Sequence, residues 1–320
     1  MPIVAGGLMW LADADYVAAA AGAGIMGFIT AASFPDPGDL KAEIAKARRL
    51  CGQKPFGLNI SMLPKLVPED RTEDLFRLAA GEGITVVETS GRNPEPYMPL
   101  IKDLGLTVLH KVPSVRFAEK AERIGVDMVS IVGAECGGHP GLDMIGSFVN
   151  AALAQRRLRV PFLIGGGVGD GSQLVAALAM GAAGVVMGTR LLVAEEVNAH
   201  PDYKAALVAA RETDTALTMQ SVRNTVRTLA NDTTAIVAEM ETRMPDITIQ
   251  DLMPYVSGKI GREAYRTGDV SKGLLSAGHA LGFVDRVAPM ARIVAQLEHE
   301  AIAARDRLIG AMPVNSGGAP

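Results

Sequence analysis

Cysteine is nearly absent from this chain: 320 residues contain two, Cys51 and Cys136, and neither stands in a CxxC or zinc-ligand pattern. A disulfide framework is thereby excluded, and a reducing compartment suits the sequence best, so a cytoplasmic protein is expected. No block of Lys and Arg occurs, and a net charge of -4 leaves no electrostatic footprint for a nucleic acid. Residues 16–35 lack any charge, which raises the question of a membrane span. Gly22, Gly24 and Gly27 interrupt that stretch, it is rich in Ala rather than Leu, and it divides into an amphipathic helix and a buried strand. With Lys41 as the first basic residue, the N-terminus has no basic region of a secretory signal. No carboxylate pair at useful spacing supports hydrolysis, and no zinc or iron triad is present.

What the chain does have is alternation. Short apolar runs at residues 2–7, 25–30, 56–61, 85–90, 107–112, 128–133, 162–167 and 184–189 are separated by helical patterns, among them the charged amphipathic stretch 39–50 and the Ala-rich stretch opened by Asp170-Gly171-Ser172. Eight strand–helix units with nearly all-apolar strands predict an α/β protein, a (β/α)8 TIM barrel around a parallel sheet. After Arg190 the alternation stops. Residues 199–272 read as helices and loops, a helical cap over the barrel rim, and residues 288–309 as a last helix packing back on the barrel. Barrel segments are thus expected at 1–198 and 273–320, with a Pro-marked loop at 63–70 and a disordered tail from 312.

The informative residues gather at strand ends, which in such a barrel converge on the C-terminal rim. Phe162-Leu163-Ile164 stops at Gly165-Gly166-Gly167, and Val185-Val186-Met187 at Gly188-Thr189, each run feeding a helix. Glycines there let backbone N–H groups approach a phosphate, and helix N-termini favour negative charge. A Rossmann site would place an acidic residue at the end of the next strand, where this chain has Thr189-Arg190. A phosphate cradle on the seventh and eighth strands is therefore the reading, and no second nucleotide fingerprint accompanies it.

After the sixth strand comes Glu135-Cys136-Gly137-Gly138-His139-Pro140-Gly141. Imidazole exchanges protons near neutral pH and the glycines leave room for a substrate, so His139 is the candidate acid or base; the alternative is a histidine that only hydrogen-bonds the loop or a cofactor phosphate. Cys136 has no second histidine nearby to activate it as a nucleophile. Lys111 ends the fifth strand, either against an anionic part of a cofactor or simply solvated. His110 alternates with it and should face the helices. His200, His279 and His299 read as structural, His279 with possible access to a cofactor ring.

Gly6-Gly7 with Trp10, Phe56-Gly57-Leu58-Asn59, the 135–141 loop, Gly165-Gly166-Gly167 and Met187-Gly188-Thr189-Arg190 together resemble the nitronate monooxygenase family, formerly the 2-nitropropane dioxygenases. Arg223-Asn224-Thr225, the loop ending at Pro64 and residues 258–282 are most similar to its bacterial NADH:quinone reductase branch. The resemblance implies a TIM barrel with non-covalent FMN contacted by Gly7, Leu8, Met9, Ser61, Lys111, Gly166, Gly167, Gly188 and Thr189, with Gly137 and Gly138 beside it and His139 as the active-site histidine. It implies a small-molecule substrate, a nitronate or, with NAD(P)H as reductant, a quinone. Met9 and Leu275 depart from the quinone-reductase pattern, which has Gln and Trp there. Oligomeric state stays open.

Overall fold

In the computed structural model, which describes residues 1–62 and 71–312, eight parallel strands close a barrel in sequence order. They are β1 (Ile3–Ala5), β2 (Met26–Thr30), β3 (Gly57–Met62), β4 (Val86–Gly91), β5 (Thr107–Val112), β6 (Met128–Val132), β7 (Phe162–Gly165) and β8 (Gly184–Met187), and β1 pairs with β8 to close the ring. The loop predicted at 63–70, with Pro64, and the tail from 313 lie outside the described residues.

Alternation along each strand divides the side chains between two cores. Phe28, Leu109, Leu163 and Val186 point inward and fill the barrel with Val4, Met26, Val86 and Met128. The opposite faces meet the helices, which is why β7 and β8 are buried at every position. Gly57 is glycine because the Phe28 ring occupies the space its Cβ would take.

The helical ring runs α1 (Ala14–Gly22), α2 (Pro37–Cys51), α3 (Thr72–Gly81), α4 (Met98–Asp103), α5 (Val115–Arg123), α6 (Ser147–Arg157) and α7 (Gly171–Ala179). Local chemistry sets their starts: Asp36 caps α2 with Pro37 in its first turn, and Asp170 and Gln173 form a reciprocal capping box on α7. The eighth position in the ring belongs to α12 (Met290–Ala311), which packs against α7 and α1.

Between β8 and α12 the chain makes α8 (Pro201–Ala209), β9 (Thr215–Thr218), β10 (Val226–Leu229), α9 (Asp232–Arg243), α10 (Ile249–Val256) and α11 (Gly258–Thr267). The expectation of helices and loops alone is corrected here: β9 and β10 form an antiparallel pair. Two four-residue strands joined by a turn holding Met219 and Arg223 at positive φ show no periodicity long enough to read in the sequence. Met219, Val226, Val237, Ile247 and Leu252 give this insertion a small core of its own. Its α11 also reaches the barrel rim, where the Arg262 guanidinium lies 5.0 Å from the centre of the Trp10 ring. No described helix is long and apolar enough to cross a membrane.

Candidate functional site

Every candidate from the sequence sits at the C-terminal end of a barrel strand or in the loop that follows it: Gly7, Leu8 and Met9 after β1, Ser61 on β3, Lys111 on β5, Gly137, Gly138 and His139 after β6, Gly166 and Gly167 after β7, Gly188 and Thr189 after β8. The barrel brings them onto one rim.

Gly166 and Gly167 have φ of +94° and +73°, conformations that disfavour any side chain, and a Cβ on Gly166 would stand 2.9 Å from the Gly133 nitrogen. Among the described residues the N–H groups of Gly167, Gly188 and Thr189 donate no hydrogen bond to protein, while that of Gly166 faces the Val186 carbonyl at the end of the β7–β8 ladder. Unpaired N–H groups on neighbouring strand ends are what a phosphate needs. A cavity of about 450 Å3 opens beside Gly166 and Gly167 and runs outside the barrel wall between α6 and α7, over Ile164, Ala176 and Met180. His279 lines it too, so this histidine stands on the cradle side.

Across the barrel, Lys111 Nζ pairs with Glu88 Oε1 at 3.1 Å. Glu88 is fully buried and also accepts from Asn59 Nδ2 at 2.5 Å and from the Gly7 N–H at 3.2 Å. His110 faces outward as expected, its Nδ1 2.9 Å from Thr89 Oγ1, and burial pushes its pKa down to about 4.

The 135–139 loop is built against two distant segments. Gly138 and Arg227 of β10 form an antiparallel bridge, and Ser276 bridges Thr228 farther along the same edge, the opposite edge of β10 being paired with β9. A Cβ on Gly137 would press on the backbone of Ala277 and Gly278, 2.7–2.8 Å away, and the Gly278 N–H donates to Thr189 Oγ1 at 2.9 Å. These two glycines thus meet protein backbone. Arg227 further donates to the Ala134 carbonyl through Nε at 3.3 Å and Nη2 at 3.1 Å, and to Thr215 Oγ1 through Nη1 at 3.0 Å.

His139 keeps surface open to water although protein crowds its ring. That crowding lowers its pKa, and a side-chain hydrogen bond with Asn224 opposes the shift. The imidazole is therefore neutral at pH 7, with one nitrogen free to accept a proton and the other to donate a hydrogen bond. Cys136 is buried, and desolvation pushes its thiol up to about 12, which excludes a thiolate nucleophile at neutral pH. Glu135 accepts from the Ser147 N–H and hydroxyl at 2.9–3.0 Å and anchors the start of α6. His200 caps α8, accepting from the Asp202 N–H. Met9 is exposed at the rim, whereas Leu275 is sealed in the main core. Among the described residues no cluster of His, Cys, Asp and Glu could hold a metal.

Asn59 and Glu88 stand among the strand-end residues that the sequence places on the rim, without a role for either, whereas nothing in the sequence marks Arg227. A lone carboxylate inside the apolar run Thr85-Val86-Val87-Glu88 was the one available signal for Glu88. Arg227 had none, because its partners lie 93 and 12 residues away.

The profile of the family described as nitronate monooxygenase matches residues 1–300. A nitronate monooxygenase of Paraburkholderia phytofirmans is 31% identical over 208 residues, 62% of this chain and 56% of that protein. A (3aS,4S,5R,7aS)-5-hydroxy-7a-methyl-1-oxo-octahydro-1H-indene-4-carboxyl-CoA dehydrogenase of Mycobacterium tuberculosis is 33% identical over 196 residues, 61% of this chain and 53% of that protein. The alignments therefore span a little over half the length of these relatives. The solved structure of FabK from Thermotoga maritima superposes with a TM-score of 0.87 at 30% identity, covering 97% of this chain and 96% of that one.

Proposed function

The chain belongs to the nitronate monooxygenase family, and from that premise we propose that it is an FMN-dependent oxidoreductase oxidising alkyl nitronates with molecular oxygen. The observation that carries the reading is the cradle: two adjacent strand ends present unpaired N–H groups from Gly167, Gly188 and Thr189, and the glycines, Gly166 among them, leave the approach open. These groups fit a phosphate monoester. Gly7, Leu8, Met9, Ser61 and Lys111 lie across the mouth, where a ring system tethered by that phosphate would reach, and Gly137 and Gly138 border it.

FMN, when bound, supplies the redox chemistry, taking electrons from the substrate and passing them on to oxygen. The chain's own residues do the rest. Neutral His139 takes the carbon-bound proton of the parent nitroalkane through its free nitrogen and so favours the anionic nitronate, while its one N–H is held by Asn224. Lys111 places a positive charge at the barrel mouth, where negative charge develops. The insertion, held to the 135–139 loop by Arg227, excludes water from that side.

A second reading, NAD(P)H:quinone reduction at the same site, is favoured by one observation: Asn224 of Arg223-Asn224-Thr225, the motif most similar to that branch, hydrogen-bonds His139. Anaerobic mixing of the yellow protein with propyl nitronate and, separately, with NADH tests the choice. Bleaching by nitronate supports the first reading, and bleaching by NADH alone replaces it with the second. Protein that takes up no FMN at micromolar concentration sinks both.

A further inference from the structure

Glu88 has no part in the chemistry outlined above, yet it is the most elaborately held charge in the barrel. It is completely buried on β4, and its partners come from the inward faces of the adjoining β3 and β5 and from Gly7 after β1. Oε2 accepts from Asn59 Nδ2 at 2.5 Å and from the Gly7 N–H at 3.2 Å, and Oε1 accepts from Lys111 Nζ at 3.1 Å. One carboxylate thus ties the ends of β1, β3 and β5 together. The order of the chain matters: the Glu88 side chain is sealed at 0% exposure, whereas that of Lys111 retains 22%. The ammonium is consequently the water-facing member of the pair. Asn59 closes the other end, where its Cβ and Cγ stand 2.6 Å from where a Cβ on residue 7 would lie.

We infer that Glu88 is a positioning residue for the flavin ring, fixing Lys111 and Gly7 at the barrel mouth and, through its compensating negative charge, holding down the electron affinity of a flavin bound against Lys111. The inference rests on the FMN reading above. The phosphate cradle is on β7 and β8 and Lys111 on β5, so the lysine serves the ring end of the cofactor. An anionic ring state is stabilised by the nearby ammonium and opposed, from farther away, by the buried carboxylate. Removing the carboxylate's charge while keeping its shape leaves Lys111 uncompensated and strengthens its effect.

Sulfite is the probe, because it adds to the oxidised ring, bleaches it and leaves it negatively charged. Titrations of FMN-loaded protein should show sulfite binding on the order of tenfold tighter in Glu88→Gln than in wild type, while Glu88→Asp, which keeps the charge, stays within about twofold. The midpoint potential should rise in Glu88→Gln alone. Breaking a buried pair can unfold a protein whereas removing both partners is far better tolerated, so the same comparison is made between Lys111→Met and Lys111→Met/Glu88→Gln. Lys111→Met should bind sulfite more weakly than wild type, and the double variant should recover part of that loss. A purely structural Glu88 would alter FMN content or melting temperature without changing sulfite affinity per bound flavin. Unchanged sulfite affinity on either background overturns the inference while leaving the FMN reading intact. Wild-type protein that binds no FMN overturns both.

Discussion

Gly138 and Arg227, 89 positions apart in the sequence, exchange both of their backbone hydrogen bonds, Gly138 N–H to the Arg227 carbonyl at 2.9 Å and Arg227 N–H to the Gly138 carbonyl at 2.7 Å. The loop that carries His139 is therefore a strand partner of the insertion. Movement of β10 moves the candidate acid–base residue with it.

That coupling makes Arg227 testable. Its guanidinium supplies two donors to the Ala134 carbonyl and one to Thr215. Arg227→Met keeps the apolar stem and removes all three, at a cost of about 1–3 kcal/mol for the polar groups left unpaired. The urea midpoint should fall accordingly, and turnover should fall with it while FMN content holds. Turnover equal to wild type would show that the loop keeps its place without the guanidinium.

His139→Ala should slow turnover by roughly 10²–10⁴-fold with FMN content unchanged. Because crowding lowers the histidine's pKa, activity that needs the neutral imidazole should persist to lower pH than an ordinary histidine would allow. The Asn224 hydrogen bond raises that pKa, so Asn224→Ala should move the acid limb of the pH–rate profile further down. A limb that moves upward contradicts the assignment.

Gly167 lies at φ +73°, and its Cβ would stand 3.0 Å from that of Glu135. Gly167→Ala strains the backbone by about 1–2 kcal/mol and crowds the cradle. Purified variant should carry much less FMN than wild type, measured from the visible absorbance of the denatured supernatant. Full flavin content would place the phosphate elsewhere.

His110 predicts a pH dependence of stability that has nothing to do with catalysis. Below pH 6.5 the unfolded chain takes up a proton at this position that the folded chain refuses until about pH 4, because burial lowers the folded pKa. The stabilisation is therefore complete above pH 6.5 and is lost as the pH falls to 4, amounting to about 3 kcal/mol. Urea unfolding of His110→Gln between pH 7 and pH 4 should be flatter than that of wild type by about this amount. Parallel curves would exclude the histidine as the source.

The sequence by itself determined the barrel and the glycine-ended strands at its rim. Apolar runs buried on both faces leave only a parallel sheet covered by helices, and a run that stops at glycine before a helix places bare N–H groups at a strand end wherever it occurs. Both signals are local, which is why the strand ends at Gly166, Gly167 and Gly188 and the loop with the strand-six histidine could be placed on the rim from the sequence. Tertiary structure alone decided which groups surround them. Glu88 becomes a hub only when β1, β3 and β5 arrive beside it, and Arg227 becomes the fastener of the His139 loop only when the free edge of β10 meets Gly138 and Ser276. The requirement for glycine at 137 likewise comes from Ala277 and Gly278, 140 positions farther along. Hydrogen bonds and close contacts of this kind depend on distances in space, and a pattern along the chain carries no record of them.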